Sequence, residues 1–545
     1  MRRANFGLGL VAAALLLAGP VSALAQGHIL IVNNDGPGEG FNDPTPAVPV
    51  GGNPGLTRGE QRLNVFRRAA EIWEGVLHPT NDVFVIAAFN PLGANVLGSA
   101  GTTFIFSDFP GAELPGTWYP SALADQLAGQ DLNPGFADIS AQFSSNFNFY
   151  FGFDNEEGAL VDLLPVVLHE LGHGLGFANF VNEATGTLAG GVPDVYSQYT
   201  LDVTTNKIWN NMTNAERAAS ALNVRKVSWS GLHVNQAVPG VLSPGEPAVT
   251  VLSPAALGSL MLGTASFGAP LTAAGVTGDV VLVNDGVGVG SDGCEPIPGV
   301  SGQIALVDRG TCAFTVKVKN AQDAGAIAVI VADNAPGAPP AGLGGADPTI
   351  FIPSGRITVT DGAAVKAALL AGTVRVTLGI DLSILAGTDR VQGKMMVAAL
   401  NPVAPGSSIS HYEAVAFRNQ LMEPAINIDL TSSVQPPEDL TLPLMADIGW
   451  FSDGDGVPDG VDSCLGSNLS PTVVIDGCNS GVANTLFTNG CTISDQIGAC
   501  AAGASNHGGF VSCVAHTTNG LKKSGVISGA QKGAIQSCAG GAAIP

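Results

Sequence analysis

The spacing of apolar residues along the first third of the chain predicts a fold that mixes helices with strands. Apolar side chains recur three and four positions apart over Glu60–Leu77, which is typical of an amphipathic helix. Runs rich in Val, Ile and Phe at Asp82–Phe89 and at 147–152 predict strands. A nearly unbroken apolar stretch from Leu163 to Leu171 predicts a helix that is buried on most sides.

The N-terminus has the layout of a secretory signal peptide. A basic start is followed by the apolar run Leu8–Ala18 and by small residues at Ala23 and Ala25, which predicts cleavage after Ala25. The alternative, a membrane anchor, is disfavoured because the run is short and ends at Gly19-Pro20. Glycine and proline interrupt every later apolar segment, so we expect a secreted chain without a membrane span.

Composition narrows the classes of partner. The chain has 45 acidic and 22 basic residues, so no basic patch is expected for nucleic acid or for anionic lipid. Its 545 residues are too many for one core and predict three or more domains. All eight cysteines lie from Cys294 onward, and an even number of cysteines in an exported chain predicts disulfides.

The apolar stretch contains His169, Glu170 and His173 in the pattern HExxH. Positions i and i+4 share a helix face, so the two imidazoles can bind one zinc ion. Glu170 lies about 100° around the helix, where it can take the proton of a zinc-activated water that attacks a carbonyl. The alternative, two surface histidines, is disfavoured because unpaired histidines on a buried helix cost free energy. Glycines at 172, 174 and 176 predict that the helix ends near Gly176.

A zinc site of this kind needs a third protein ligand, and its position is open. Asn179, six residues past the second histidine, is a poor zinc ligand. Glu183 follows too closely to be a glutamate on a separate helix, Asp194 is better explained as structural, and His233 is a lone histidine beside a predicted strand. The remaining candidate is His411, which a methionine follows after eleven residues.

Two stretches resemble known zinc peptidases. The HExxHxxG pattern ending at Gly176 resembles the metzincins, and 411–424, HYEAVAFRNQLMEP, resembles the leishmanolysin family, which inserts a segment before its third histidine. This resemblance implies that His411 is the third zinc ligand and that Met422 belongs to a methionine turn beneath the metal. It also implies that the stretch 439–450 is a closing helix.

The resemblance is limited in extent and departs from the family at two residues. Tyr412 stands where that family has a tryptophan, and Asn179 stands where metzincins usually have a histidine or aspartate. The similarity is strong over residues 160–180 and 405–450 and only general over 27–160.

His411 lies 238 positions after His173, a separation that is too long for a loop and predicts an inserted domain. Within them, Ile304–Asp308, Phe314–Ala324 and Ala326–Ala332 read as a strand, a helix and a strand.

The insert resembles the protease-associated (PA) domain over residues 245–382. The resemblance implies a disulfide between Cys294 and Cys312. Two roles stay open for this domain: a spacer tolerated at a surface loop, or a lid or exosite that binds protein substrates.

The tail after residue 451 begins with four clustered aspartates, Asp453, Asp455, Asp459 and Asp462. Hard oxygen ligands at close spacing suit calcium, although an acidic Gly-rich linker is an alternative. The stretch resembles a thrombospondin type-3 calcium repeat, which implies a Cys464–Cys478 disulfide. The last four cysteines allow three pairings, and the sequence does not choose among them: Cys491, Cys500, Cys513 and Cys538.

We therefore expect an α+β multidomain protein in which a metzincin-like catalytic domain is split by an α/β PA domain and followed by a calcium repeat and a small helical module. The expected domains are a signal peptide (1–25), a catalytic N-terminal part (26–244), the PA insert (245–382), a catalytic C-terminal part (383–451), the calcium repeat (452–485) and a cysteine-containing helical module (486–545).

The leading hypothesis for function is a secreted zinc endopeptidase that acts on proteins or peptides and also binds calcium. A second hypothesis is a non-catalytic secreted protein that binds partners through its PA and calcium modules. A third is a zinc hydrolase of a non-peptide amide or ester, which the motif alone permits.

Overall fold

The computed structural model describes residues 27–337, 340–427, 429–453, 455, 457 and 459–544. The predicted signal peptide lies outside these residues. Among the helices that the model describes, none is both long and apolar enough to cross a membrane.

The largest apolar core is shared by two separate parts of the chain, 27–243 and 386–451, which we call the main domain. Its first part contains helices α1 (Arg58–Leu77), α2 (Ser121–Ala128), α3 (Leu163–Leu175), α4 (Asn214–Ala221) and α5 (Leu232–Val241). The strands of this part are β1 (Ile29–Asn33), β2 (Val83–Asn90), β3 (Gly98–Thr102), β4 (Ile105–Phe106), β5 (Tyr119–Pro120), β6 (Ile139–Ser144), β7 (Phe149–Tyr150), β8 (Val161–Asp162), β9 (Val181–Asn182), β10 (Thr187–Leu188), β11 (Thr200–Asp202), β12 (Lys207–Ile208) and β13 (Val227–Trp229).

The main sheet has the order β1-β2-β6-β3. Its first three strands are parallel, and β3 pairs antiparallel with β6 at one edge. Helix α1 begins at a capping box in which Thr57 and Glu60 exchange hydrogen bonds, and it follows the predicted amphipathic pattern. The indole of Trp73 on α1 donates to the carbonyl of Leu168, 3.2 Å away, and so fixes α1 against α3.

Helix α3 is the predicted apolar helix, and every one of its 13 residues is buried. The carboxylate of Asp162 accepts a hydrogen bond from the N–H of Leu164 at 3.0 Å and caps the N-terminus. The helix ends before Gly176, whose φ of 138° is disfavoured for a residue with a side chain. The end near Gly176 is therefore where the sequence predicted it.

The insert folds around an eight-stranded sheet with the order β15-β14-β21-β17-β18-β19-β20-β16. Strands β17 to β20 are parallel neighbours, and apolar cores lie on both faces, one with helix α6 and the other with α7. The predicted strand–helix–strand unit is β18, α6 and β19, and Cys294 bonds to Cys312 as predicted. The elements are β14 (Pro244–Ser253), β15 (Ser259–Met261), β16 (Gly263–Thr264), β17 (Val276–Leu282), β18 (Ile304–Asp308), α6 (Phe314–Asp323), β19 (Ala328–Ala332), β20 (Ser354–Ile357), α7 (Val359–Ala371) and β21 (Arg375–Leu385).

The two ends of the insert meet at the main domain. Strands β14 and β21 pair antiparallel from Pro244, opposite Leu385, so the chain leaves and returns at adjacent points. The guanidinium of Arg390 binds the carboxylate of Glu246 at 3.0 Å, and both side chains are largely buried. The paired strands run over 244–385, close to the predicted domain limits of 245 and 382.

The second part of the main domain returns to the same core and ends in helix α8 (Thr441–Asp447). This helix is shorter than the predicted 439–450. The carboxylate of Asp439 accepts from the N–H of Thr441 at 2.7 Å and so precedes the helix, and Gly449 with φ 112° follows it. The buried carboxylate of Asp447 accepts from the indole of Trp229 at 2.7 Å and ties the two parts together.

The tail forms one small unit. It consists of β22 (Thr472–Ile475), β23 (Cys478–Ala483), α9 (Ile493–Ala502), α10 (His507–Lys523) and α11 (Gly529–Gly541), and their apolar residues form one core. The predicted boundary at 485/486 therefore runs through a continuous core.

The predicted Cys464–Cys478 disulfide is wrong. Cys464 bonds to Cys491, while Cys478 bonds to Cys538 and Cys500 to Cys513. The physical reason is that Cys478 begins β23, against which α11 packs, so its nearest partner is on that helix.

We predict that the main domain folds without the insert. Ala248 lies opposite Gly379 in the β14–β21 pair, so replacing 249–378 by Asn-Gly closes a short hairpin and keeps the Arg390–Glu246 contact. All five tryptophans lie outside the replaced segment, so their fluorescence reports on the main domain alone. The emission maximum should match that of the full chain, and a shift to the value of the urea-unfolded chain would contradict the prediction.

Candidate metal centre

Three imidazoles from distant parts of the chain meet at one point. The Nε2 atom of His173 lies 3.1 Å from that of His169 and 3.2 Å from that of His411. The Nε2 atoms of His169 and His411 are also 3.2 Å apart. Nitrogens each about 2.0–2.1 Å from a shared zinc ion lie at separations of this order. The structure thus brings together the three histidines that the sequence proposed.

Each ring is oriented by a backbone carbonyl behind it. The Nδ1 atoms of His169, His173 and His411 lie 2.8, 2.8 and 3.0 Å from the carbonyl oxygens of three residues. Those residues are Leu421, Phe177 and Ser407. A carbonyl only accepts, so each Nδ1 carries the proton and each Nε2 presents a lone pair.

Burial keeps the three rings neutral. It lowers the pKa of His169 to about 4 and that of His173 to about 3, and it holds the pKa of His411 well below its usual value. Three lone pairs then converge without a proton between them, an arrangement that a cation stabilises. Three neutral imidazoles held by carbonyls are also the donor set that zinc prefers. The residues present fit a zinc ion.

The alternative third ligands have other partners. The carboxylate of Glu183 accepts from the side-chain amide of Asn179. The carboxylate of Asp194 is buried and accepts from the backbone N–H groups of Phe180 and Ser197. His233 Nε2 lies 2.9 Å from the carbonyl oxygen of Asp459, away from the other histidines' cluster.

Glu170 lies between α3 and the edge strand β3. Its side chain is buried and lies against the backbone of β3 at Gly98 and Ala100. Burial raises the pKa of Glu170 to about 8, so the carboxylate takes up a proton readily, while a neighbouring cation would favour its ionised form. Gly98 leaves room for this side chain, because a Cβ there would lie 2.8 Å from Glu170 Cγ.

Met422 packs against helix α3, which carries His169 and His173. A Cβ at Gly172 would be only 2.9 Å from Met422 Sδ, so a side chain at this position would displace Met422. The N–H of Tyr412 donates to the Met422 carbonyl at 2.8 Å, which joins the turn to the residue after His411. The preceding carbonyl, that of Leu421, is the one that orients His169.

The aspartates of the tail separate into two groups. Carboxylate oxygens of Asp453, Asp455 and Asp462 all lie within 4.8 Å of one another. The predicted fourth member, Asp459, instead contacts the main domain. Its backbone N–H donates to Oε2 of Glu113 at 3.4 Å. Burial, together with Glu113, raises the pKa of Asp459 to about 9.

Two features of this region escaped the sequence interpretation. Strand β3, with the letters GSAGT, has Thr102 as its single β-branched residue and contains no aromatic residue, so only its pairing with β6 reveals it. Glu113 sits in a loop and carries no local signal of its contact with the tail, which is 346 residues away.

Comparisons with known proteins match separate segments of the chain. A family model described as PA domain matches residues 276–365, so a PA domain is present in the insert. A second model, described as SPBPB7E8-like, matches 116–221, which includes α3.

The curated relatives are similar over short segments. Leucine aminopeptidase 2 of Arthroderma otae is 33% identical over 105 residues, 19% of this chain and 20% of that protein. Vacuolar-sorting receptor 1 of Pisum sativum is 42% identical over 76 residues, 13% of this chain and 12% of that protein. The chain thus spans a fifth or less of the length of these two relatives, and a peptidase and a receptor are both among them.

A solved structure, an aminopeptidase from Aneurinibacillus sp. strain AM-1, is 21% identical and covers 34% of this chain and 42% of that one, with a TM-score of 0.21. A structural similarity with so low a TM-score supports no assignment of a function to the site.

We predict that His411 is needed for metal binding and His233 is not. Two imidazoles alone hold zinc weakly, so His411→Ala should lose the metal, whereas His233→Ala should keep one zinc per chain. Zinc content after dialysis against a metal-buffered solution measures this directly. Retention of zinc by His411→Ala at the level of the unmodified chain would contradict the three-histidine site.

Proposed function

We propose that this chain is a secreted zinc-dependent endopeptidase. The observation that carries the proposal is the convergence of the Nε2 atoms of His169, His173 and His411, with Glu170 beside them. Four disulfides support an oxidising compartment, and three of them lie in the tail.

A zinc ion at this position supplies a Lewis acid that makes water nucleophilic at neutral pH. The three histidines hold the ion, and their Nδ1–H donors fix the ring orientations. Glu170 accepts the proton from the attacking water at its carboxylate and delivers it to the leaving amine. Burial of this carboxylate raises its pKa, and a neighbouring zinc ion would favour its ionised form, which accepts the proton.

The edge strand β3 supports a peptide as substrate. In the part of the chain that the structure describes, β3 pairs with β6 on one side and with no strand on the other. Its free backbone N–H and C=O groups can bind an extended peptide as an added strand. Because β3 also contacts Glu170 through Ala100, a peptide bound there passes the proposed metal. A strand that pairs along its length places bonds far from either terminus at the site, which favours an endopeptidase.

The leishmanolysin-like organisation belongs to this proposal. Met422 packs under α3 beside Gly172, and Trp450 after the closing helix donates to the Leu175 carbonyl at 3.0 Å. We assign the PA insert the role of a protein-binding module, which its paired ends join to the main domain at adjacent points.

Calcium is proposed at Asp453, Asp455 and Asp462. One oxygen on each of Asp455 and Asp462 is buried and lacks a hydrogen-bond partner, which suits an oxygen-binding cation. Asp459 lies outside this group of three and contacts Glu113, although its Oδ1 is also buried without a hydrogen-bond partner.

We predict that Glu170→Gln keeps zinc and loses peptide hydrolysis by at least about a hundredfold, because the ligands remain while the proton acceptor is removed. The substrate should be an internally quenched peptide that is acetylated and amidated at its ends, because an aminopeptidase needs a free N-terminus. Cleavage of this peptide by the unmodified chain supports an endopeptidase. Activity of Glu170→Gln near that of the unmodified chain rules out the assigned base.

We also predict that calcium removal loosens the segment 452–467 before it affects the zinc site, because the clustered carboxylates then repel one another. Hydrogen exchange of this segment should rise on addition of a calcium-selective chelator while hydrolysis of the blocked peptide persists. The double variant Asp455→Asn with Asp462→Asn should respond far less to the chelator. Equal exchange with and without the chelator in the unmodified chain would show that no calcium is bound here.

A further inference from the structure

The turn that carries the third histidine is strained. Ile409, two residues before His411, has φ 67°, in the left-handed region. A β-branched side chain is rarely found there, because its Cβ crowds the backbone. Ile409 is also fully buried, so the strain is not relieved by movement into solvent. Such a conformation persists only where neighbouring contacts hold it.

Three neighbouring segments hold this turn. The N–H of Ile409 donates to the Ala398 carbonyl at 2.8 Å, and the hydroxyl of Tyr196 donates to the Ile409 carbonyl at 2.9 Å. Ser410 receives two hydrogen bonds on its Oγ atom, from the backbone N–H of Asn179 at 3.1 Å and from the side-chain amide of Asn179 at 2.9 Å. The residue directly before the third histidine is therefore tied to a residue just beyond the end of α3.

Asn179 is itself fixed in orientation. Its Oδ1 accepts from the N–H of Val181 at 2.9 Å, and its Nδ2 also donates to Glu183 Oε1 at 3.1 Å. The amide therefore presents Nδ2 to Ser410 and does not offer Oδ1 to the histidines. Its backbone N–H and side chain act on the same hydroxyl, which sets the distance between the end of α3 and the turn.

We propose that Asn179 is a positioning residue that holds His411 in place for the metal. It acts through Ser410. Asn179 does not bind the metal itself; it fixes the segment that carries His411, which lies 238 positions after His173. This inference rests on the proposed zinc site. It adds a role for a residue that the metal itself does not touch.

The test compares zinc affinity with stability. Asn179→Ala and Ser410→Ala should each weaken zinc binding by about 10- to 100-fold, the range for residues that orient metal ligands. The double variant should be no weaker than Ser410→Ala, because loss of the Ser410 hydroxyl already removes the hydrogen bond that Asn179→Ala removes from it. Ser410→Thr keeps the hydroxyl at a position that is not fully buried, so it should bind zinc within about threefold of the unmodified chain.

Competition with a chromophoric chelator gives the zinc dissociation constant, and thermal melting of the metal-free chains gives their stability. A merely structural role would lower the metal-free melting temperature and leave the zinc constant unchanged, and that outcome overturns the proposal. Additive losses in the double variant also overturn it. If the unmodified chain binds no zinc, the proposed function itself fails, which is a separate result from unchanged affinity in Asn179→Ala.

Discussion

Three imidazole lone pairs directed at one point are the constraint on which the rest of the main domain depends. Neutral nitrogens at 3.1–3.2 Å gain nothing from one another, so the protein must hold them together by other means. It does so with carbonyls from three places, at Leu421, Phe177 and Ser407. The methionine turn, the end of α3 and the turn before His411 each supply one of them. Trp73 and Tyr412 pack around these segments and help to hold the three imidazoles in place.

The part of this site on helix α3 could be predicted from the sequence, because its residues are close together in the chain. A histidine pair four positions apart on an apolar helix, ended by Gly176, needs no knowledge of the fold. The third histidine was different. No periodic signal links His411 to α3, and His233 was a formal alternative until the structure placed its ring beside the Asp459 carbonyl.

Other features depend on tertiary packing that the sequence does not express. The partner of Cys478 is decided by the packing of α11 on β23 and not by distance along the chain. Asp459 matches its neighbours in type and spacing, yet it turns toward Glu113. Strand β3 has a composition that is rare in strands, and it forms by pairing with β6. Gly98 on this strand has no side chain and so leaves space for Glu170. In each case the deciding residue is far away in the sequence.

The adjacent ends of the insert also determine the order in which the molecule can assemble. A polypeptide is made from its N-terminus, so α3 and its two histidines are made well before His411, which follows His173 by 238 positions. The insert has its own cores and closes on itself through β14 and β21, so it can fold while the main domain is still incomplete. The main domain then gains His411, Met422 and helix α8 only after the insert is finished. A chain built this way lacks the third histidine of its proposed metal site during most of its own synthesis, a delay that comes from chain connectivity.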